Sequence, residues 1–282
     1  MYIWGDFMGN IKDLTKEFPS VIDRAYREYK KHRQVETIMS RDVVTTTIYA
    51  TMEAVAKIMG ESHIGSLIVK NYDTPVGIVT ERDLLSNVLA LGRTPSEIMV
   101  EEVMSYPLTK ICSIAEIKEA AQMMTKTKGR LAVFSCGDLV GIITASDLIR
   151  SLPDVSETQL KVDDFMTEHV ITADEKTPIA TIAKVMGEKR IGSLIITSKD
   201  KPHMSIFTER DLLTNFLAKG ESLMTKVGKA SSSPLITIPS GTSIHKAAAT
   251  MATNHIKRLP IATEGELVGI ITARDLVEAY AK

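Results

Sequence analysis

The chain has 282 residues, of which 44% are hydrophobic and 24% are charged, and its formal net charge is −1. These proportions are ordinary for a soluble globular protein, and a near-neutral charge gives no reason to expect a polyanionic partner over the whole surface. No apolar run approaches the ~20 residues of a membrane span, so no membrane segment is expected.

The cysteines and the first residues bear on the compartment. Cys112 and Cys136 are the only cysteines, and they do not form a Cys-x-x-Cys or other metal-ligand spacing. Two thiols make no disulfide framework, which favours a reducing intracellular setting. The opening residues lack the basic start and apolar stretch of a secretory signal, so we expect a cytoplasmic protein.

Residues 1–34 are predicted to form an N-terminal helical extension. Ser20 is placed to cap a helix that runs through Arg33, with Asp23 at the capping-box position. The cationic end of this segment suits the negative C-terminus of a helix, and a docking arm for nucleic acid or another partner is the alternative.

The rest of the chain is one unit used four times. The pattern Thr-x-x-Asp recurs with a constant spacing of 64 residues, and each threonine follows an apolar run. A constant period of this size indicates tandem repeats. Units of about 60 residues are marginally stable alone, so neighbouring units are expected to pair and share cores. The predicted repeats span residues 35–91, 95–153, 160–220 and 222–282.

Each repeat has the same predicted elements in the same order. A Met-centred lead-in such as Ile38-Met39-Ser40 precedes a short β-prone stretch and then a helix with apolar residues three and four apart. Two strands follow, the second ending at the motif threonine, where a last amphipathic helix begins. This β-α-β-β-α order, with helices on one face of a small sheet, places the fold in the α/β (α+β) class.

The repeats alternate in sequence, which divides the chain into two paired modules. Repeats one and three share Met-Gly-Glu, Ile-Gly-Ser-Leu-Ile and Thr-Glu-Arg-Asp-Leu-Leu. Repeats two and four share Arg-Leu before the strand and then Leu-Val-Gly-Ile-Ile-Thr-Ala-x-Asp-Leu. Residues 35–153 are therefore predicted to form one module and residues 160–282 the other.

These residues resemble four tandem domains of the cystathionine-β-synthase-type (CBS) family, arranged as two pairs. The resemblance covers nearly all of residues 35–282 and rests on the Gly-apolar-apolar-Thr-x-x-Asp signature, on strand openers such as Lys257-Arg258-Leu259-Pro260-Ile261, and on the order of elements. It implies that adenosyl compounds bind in clefts between paired domains and that the protein is regulatory. The gamma subunit of AMP-activated protein kinase is one such family member.

The Thr-x-x-Asp pattern has two interpretations. An Asp three residues into a helix can accept hydrogen bonds from the vicinal hydroxyls of a ribose, while the Thr hydroxyl donates to ribose or phosphate. The same pattern is a helix capping box, with Thr at the N-cap and an acid three residues later. The candidate ribose-binding residues are Thr80, Asp83, Thr144, Asp147, Thr208, Asp211, Thr272 and Asp275.

The candidate phosphate-binding residues are basic and occupy two kinds of position. One group directly precedes the motif Asp, and the other lies at or near the start of the first hairpin strand, where basic residues of the resembled kinase subunit hold phosphates. A surface cation at a strand end is the alternative. The two groups are Arg82, Arg210 and Arg274, and Arg130, Lys257, Arg258, His63 and Arg190, the last two expected to match Arg130 and Arg258 in repeats one and three.

The expected ligand is AMP, ADP or ATP, with Val43 and Val170 flanking the adenine and with no further cofactor and no metal. Repeat two has Ser146 where the other repeats have an arginine, so its cleft is expected to suit a charged nucleotide least. The expected function is a stand-alone sensor that relays nucleotide occupancy to an unidentified regulated protein. No Gly-rich phosphate loop or spaced nucleophile–base set is present, so an enzyme is not expected.

Other functions and assemblies are open at this stage. The chain could be an interaction scaffold whose clefts are empty or degenerate, with the motifs acting only as caps, or it could bind S-adenosylmethionine or NAD. Nucleic-acid binding is not favoured, because the charge is near neutral and no DNA-binding motif is present. Four repeats could close into a disc within one chain, or each pair could meet its counterpart in a second chain; we expect a homodimer.

Overall fold

The structure is a computed structural model that describes residues 33–127, 129–151, 159–198 and 204–282. The predicted Ser20 cap and nearly all of the helical extension lie outside these residues.

Four copies of the β-α-β-β-α unit follow one another, which confirms the predicted fold class. In each copy a three-stranded sheet has its first strand parallel to the second and its third strand antiparallel to the second. The elements of repeats one and two are β1 (Thr45–Thr47), α1 (Met52–Glu61), β2 (Ser66–Asn71), β3 (Thr74–Thr80), α2 (Glu81–Asn87), α3 (Val100–Val103), β4 (Lys110–Cys112), α4 (Ile117–Lys126), β5 (Arg130–Ser135), β6 (Asp138–Thr144) and α5 (Ala145–Ser151).

The second half of the chain repeats this series. Its elements are β7 (Thr172–Asp174), α6 (Ile179–Lys189), β8 (Ser193–Thr197), β9 (Ser205–Thr208), α7 (Glu209–Leu212) continued by a π-helical turn (Leu213–Leu217), β10 (Ile238–Pro239), α8 (Ile244–Thr253), β11 (Arg258–Thr263), β12 (Glu266–Thr272) and α9 (Ala273–Ala281). Short 3₁₀ helices lie at Val35–Thr37, Leu89–Leu91, Pro95–Glu97, Val162–Asp164 and Val227–Lys229.

The two repeats of a module are joined by their lead-in segments. Ser40 of repeat one exchanges both backbone hydrogen bonds with Ile142 of repeat two, and Ser105 of repeat two does the same with Ile78 of repeat one, at N···O distances of 2.8 to 3.1 Å. The lead-in of each repeat therefore pairs with the third strand of the other. The same exchanges join repeats three and four, between Thr167 and Ile270 and between Ser232 and Ile206.

This exchange explains the glycine of the signature. A Cβ atom at Gly141 would lie 2.6 Å from the Sδ of Met39, and one at Gly269 would lie 2.5 Å from the Sδ of Met166. The strand must lack a side chain there, because the methionine of the opposing lead-in packs directly on its backbone. Repeat three can hold Ser205 in this place because the opposing lead-in has Ser231 where the others have a methionine, and the two hydroxyls form a hydrogen bond of 2.7 Å.

The two modules also pack against each other, through repeats one and three. Helix α1 packs on the π-helical turn, and α6 packs on α2. A Cβ atom at Gly187 would lie 2.4 Å from the backbone oxygen of Leu85, and one at Gly60 would lie 2.5 Å from the Cβ of Ala218. Both glycines belong to the Met-Gly-Glu sequence that only repeats one and three share. These two repeats therefore share a glycine because their helices pack closely across the contact between the modules.

Repeats two and four complete the contact between the modules. Helix α9 packs on α4 and α5, and α8 packs on α5. An apolar cluster joins these repeats, with Leu131 and Ile143 from one and Leu259 and Ile271 from the other. The four repeats thus close within one chain, which is one of the two arrangements considered from the sequence; the homodimer stays a prediction.

We expect Gly187→Ala to lower the free energy of unfolding by about 1–3 kcal/mol, because the added methyl group would overlap the Leu85 backbone. In a helix without such a contact the same change would stabilise by roughly 0.5–1 kcal/mol, so the sign is informative. Urea unfolding measures the change, with Lys184→Ala at an exposed position of α6 as the control. A stabilised Gly187→Ala variant would contradict the close packing of α6 on α2.

Candidate functional site

All four Thr-x-x-Asp motifs form helix caps. In each motif the backbone N–H and the hydroxyl of the Thr both donate to Oδ2 of the Asp, at 2.7 to 3.0 Å. In repeats one and three the Asp N–H also donates to the Thr hydroxyl oxygen, at 3.3 Å. The pattern therefore has a structural role in every repeat, because it satisfies donors at the start of a helix.

The cap uses only one carboxylate oxygen of each Asp, namely Oδ2. In Asp211 and Asp275, Oδ1 forms no hydrogen bond with any residue that the structure describes. Desolvation raises the pKa of both carboxyls above the ordinary range of aspartate. A carboxylate that caps a helix with one oxygen can accept hydroxyl groups of a ligand with the other, so capping and ribose binding are compatible.

Asp147 of repeat two is different. Arg150, three residues later in α5, forms an ion pair with its Oδ1, while Oδ2 serves the cap. Both oxygens of this carboxylate are therefore engaged. Together with Ser146, this leaves the repeat-two motif less suited to an anionic ligand that carries a diol than the motifs of Asp211 and Asp275.

The strand-start arginines occur in repeats two and four, as expected. Arg130 opens β5 and Arg258 opens β11, and each is paired with the motif threonine on the neighbouring strand. The same register positions in repeats one and three hold Ser66 and Ser193. Cations at this position are thus confined to alternate repeats.

The expected equivalence of His63 and Arg190 with these arginines is wrong. Both residues lie three positions before the start of a strand, at the ends of α1 and α6, with φ of 53° and 54° and exposed side chains. The chain leaves a helix there through the left-handed region, as it also does at His255 in repeat four. Charge alone does not identify equivalent residues here, because each repeat has one residue that ends the helix and a different residue, three positions later, that starts the strand.

A cavity of about 180 Å³ lies between the two repeats of the first module. Thr80 of repeat one and Arg130 of repeat two both line it, so the cavity combines a motif residue of one domain with a strand-start cation of the other. The hydroxyls of Ser105 and Thr127 are buried without a hydrogen-bond partner among the described residues, which leaves polar groups for a ligand to satisfy. The remaining lining residues are Ile78, Pro107 and Thr109.

The residues expected to flank the adenine have different surroundings. Val43 packs in an apolar cluster between the sheets of repeats one and two, with Ile68, Ile78, Leu108 and Ala132. Val170 lines an open cavity of about 400 Å³ in the second module. Neither contact tests the adenine assignment, which stays a prediction.

The three arginines that precede a motif Asp point to separate partners. Arg82 lies near Glu209 of the other module, with 3.6 Å between its Nε and the carboxylate Oε1. Arg274 donates to the backbone oxygen of Thr127 at 3.1 Å, at the end of a helix that borders the first cavity. The charge of Arg210 acts on Lys257. The three are therefore not equivalent in the fold.

Charged side chains from both modules form a cluster around Glu209, whose side chain is only 7% exposed, and Arg82 at its edge is 45% exposed. Oε2 of Glu209 accepts a hydrogen bond of 2.8 Å from Nη2 of Arg258. Desolvation would raise the pKa of Glu209, but the positive charges of Arg258, Arg82 and Arg130 outweigh it and hold the pKa below the ordinary range. Glu209 is therefore a buried carboxylate anion.

Lys257 belongs to the same cluster. Desolvation lowers its pKa to about 8, and the charges of Arg210, Arg130 and Arg258 act in the same direction while Glu81 opposes them. Lys257 and four arginines thus interact electrostatically with one another or with three carboxylates, those of Glu81, Glu209 and Asp211. This excess of positive charge favours the binding of an anion such as a phosphate.

Sequence reasoning missed the two glutamates. Glu81 and Glu209 directly follow a motif threonine and are buried, whereas repeats two and four have Ala145 and Ala273 in this place. The signal was present in the alternation of Thr-Glu-Arg-Asp with Thr-Ala-x-Asp. Its meaning depends on burial, which a pattern of repeats does not show.

The described segments contain neither a membrane-spanning helix nor a metal cluster. No helix there is long and apolar enough to cross a bilayer. No cluster of three or more His, Cys, Asp or Glu side chains in these segments is arranged to hold a metal ion.

Several known proteins are similar to this chain. An uncharacterized protein of Methanopyrus kandleri is 35% identical over 122 residues, which are 42% of this chain and 62% of that protein. An uncharacterized protein of Methanocaldococcus jannaschii is 30% identical over 200 residues, which are 64% of this chain and 69% of that protein. Inosine-5'-monophosphate dehydrogenase of Thermoplasma acidophilum is 36% identical over 140 residues, which are 47% of this chain and 27% of that enzyme.

Solved structures show the same fold. The crystal structure of the M. jannaschii protein superimposes with a TM-score of 0.71 and 23% identity, covering 88% of this chain and 99% of that one. The CBS domain family matches residues 35–90, 100–154, 162–218 and 223–282. Because these four segments account for most of the sequence and coincide with the four structural repeats, the chain belongs to the CBS-domain family and contains four tandem CBS domains.

Proposed function

We propose that the protein is a regulatory sensor that binds adenine nucleotides in clefts between paired CBS domains. The observation that carries this proposal is the cavity of the first module, which brings together Thr80 of one domain and Arg130 of the other. A nucleotide needs an acceptor for its ribose hydroxyls and a cation for its phosphate, and here each domain supplies one of them. The M. jannaschii relative has been described as a proposed archaeal homologue of g-AMPK, which supports a nucleotide ligand.

Two of the four clefts combine both features. The first module joins the motif of Asp83 to Arg130, and the second joins the motif of Asp211 to Arg258. In the second module, desolvation raises the pKa of Asp211 and the charge of Arg258 opposes that rise, so Arg258 acts electrostatically on this carboxylate. By the same pairing, the motifs of repeats two and four would face Ser66 and Ser193 in place of an arginine. We therefore assign AMP, ADP or ATP to the Asp83 and Asp211 clefts.

The charged cluster gives a physical route from occupancy to regulation. It contains residues of both modules, such as Arg82 and Glu209, and its cations are those that would hold phosphate. A bound phosphate would therefore change the electrostatic balance where the modules meet. The ligand shifts their arrangement only if it binds one arrangement more tightly than another. A separate regulated protein would respond to that shift.

The scaffold alternative keeps one supporting observation. Every motif forms its cap from its own Thr and Asp, so the Thr-x-x-Asp pattern has a sufficient structural reason to exist. The two functions differ in what removal of a motif carboxylate does to nucleotide binding.

Nucleotide-free protein is expected to be stabilised against heat by AMP, ADP or ATP. One occupied site at a hundredfold excess over Kd contributes about 2.7 kcal/mol, which is several degrees at roughly 2–4 °C per kcal/mol. NAD and S-adenosylmethionine, tested in the same way, examine the alternative ligands. The absence of a shift with every nucleotide, in protein verified to be free of bound nucleotide, would contradict the proposal and favour the scaffold.

Two substitutions of Asp211 separate the cap from the ribose contact. Asp211→Ala removes the acceptor for the Thr208 N–H and hydroxyl and should cost about 0.5–2 kcal/mol of stability. Asp211→Asn keeps an acceptor oxygen and removes a desolvated charge, so its stability should match or exceed that of the wild type. Both should lose one nucleotide site in calorimetric titration. Unchanged stoichiometry and affinity in both variants would show that the motif is only a cap.

Phosphate-dependent affinity is expected to fall as the pH rises from 7 to 9. Lys257, with its pKa of about 8 in the free protein, is mostly charged at the lower pH and mostly neutral at the higher. A phosphate binds the charged form more tightly, so the affinity for AMP should weaken by up to about tenfold over this range. Lys257→Arg stays charged and should remove the dependence, and adenosine provides the control without phosphate. A flat wild-type profile for AMP would exclude Lys257 from phosphate binding.

A further inference from the structure

The two arginines at strand starts are in different electrostatic states. Nη2 of Arg258 donates to the Glu209 carboxylate at 2.8 Å, and only 17% of the Arg258 side chain is exposed. Nη2 of Arg130 donates instead to the backbone oxygen of Gly65 at 3.2 Å, and this arginine lines the open cavity of the first module. The cation of the second module is therefore already neutralised by an anion of the protein itself.

Only one oxygen of the Glu209 carboxylate, Oε2, accepts a hydrogen bond from a described residue. Its Oε1 is buried and has no hydrogen-bond partner among the described residues, and Nε of Arg82 lies 3.6 Å from it, beyond hydrogen-bond distance. A buried carboxylate loses its hydration, and a single short ion pair returns only part of that free energy. An anion with more charge and more acceptor oxygens would satisfy Arg258 better than this carboxylate does.

The backbone is shaped to admit this ion pair. A Cβ atom at Gly192 would lie 1.7 Å from Nη2 of Arg258 and 2.6 Å from Oε2 of Glu209, so any other residue there would displace both groups. The glycine comes from the Ile-Gly-Ser sequence of repeats one and three, the glutamate from Thr-Glu-Arg-Asp, and the arginine from Arg-Leu. Three separate parts of the alternating sequence therefore meet in one contact.

We propose that Glu209 is an internal anion at the phosphate position of the Asp211 cleft, and that a nucleotide binds there by exchanging its phosphate for the Glu209 carboxylate. This inference rests on the proposed function and makes Glu209 the residue that sets the affinity of this cleft for phosphate. The exchange costs the Arg258–Glu209 ion pair, whereas Arg130 forms no ion pair with any residue that the structure describes, so phosphate binding there costs none of these. The Asp83 cleft therefore fills first, and the Asp211 cleft fills at higher nucleotide concentration.

The test measures the second cleft alone. In an Asp83→Ala background, which lacks the carboxylate of the first cleft, AMP, ATP and adenosine are titrated into protein with Glu209 and into Glu209→Gln. Glutamine keeps an oxygen that can accept from Arg258 but carries no charge. AMP and ATP are expected to bind at least about tenfold more tightly to Glu209→Gln, and adenosine is expected to change by less than about twofold.

Three further variants identify the cause of the gain. Glu53→Gln removes an exposed acid in the first turn of α1 and should leave all affinities unchanged. Adding Arg258→Gln to Glu209→Gln should abolish the gain, because no cation is then released. Glu209→Ala also removes the charge and should reproduce the gain, which keeps the test available if Glu209→Gln does not fold.

The outcomes separate the inference from the proposed function. Wild-type binding with an unchanged affinity in the Glu209 variants would overturn the inference and leave the proposed function in place, and so would a gain that survives Arg258→Gln. If no nucleotide binds to the wild type, the proposed function fails, and inorganic pyrophosphate then tests the exchange by itself. Thermal stabilisation by pyrophosphate should be larger in Glu209→Gln than in the wild type, and an equal response would overturn the inference.

Discussion

Each repeat of this chain is too small to bury a sufficient core alone, so the repeats must pair and share apolar surface. An exchange of backbone hydrogen bonds joins the paired repeats. The lead-in of one repeat pairs with the third strand of the other, as Ser40 does with Ile142. Because the third strand ends at the motif threonine, the exchange also places the motif of one domain beside the lead-in of its partner. The first cavity is accordingly lined by Thr80 together with Ser105 and Pro107 of the opposing repeat. The cleft is a product of pairing and does not exist within a single repeat.

Although the net charge of the chain is near zero, its acidic and basic residues are distributed unevenly among the repeats. Repeats one and three contribute buried acids, Glu81 and Glu209, and repeats two and four contribute the strand-start arginines. Their meeting in one cluster makes the cluster partly self-neutralised, with its cations in excess of its carboxylates. This arrangement reconciles two requirements. The closed chain must not hold many unbalanced buried charges, and the phosphate site that we propose must still have free cationic capacity.

The structural role of the Thr-x-x-Asp motif is compatible with the binding role that we propose for it. The cap occupies Oδ2 of the aspartate in all four repeats, and what distinguishes the repeats is the fate of Oδ1. In Asp147 it is taken by Arg150, whereas in Asp211 it has no described hydrogen-bond partner. Four copies of the motif are therefore four caps, but they are not four equivalent sites.

The period, the order of elements, the pairing into modules and the caps were predicted from the sequence by itself. These features depend on contacts within a few residues or on direct repetition, as the bond between Thr208 and Asp211 three residues apart illustrates. Only the tertiary structure decided which cations face a cleft and which acids are buried, because the Arg258–Glu209 bond joins residues 49 positions apart. It also separated His63 and Arg190 from the strand-start arginines, since charge and approximate spacing do not reveal where a helix ends and the strand register begins. Neighbouring residues determine local hydrogen-bonding patterns, whereas burial and ion pairing depend on how distant repeats pack together.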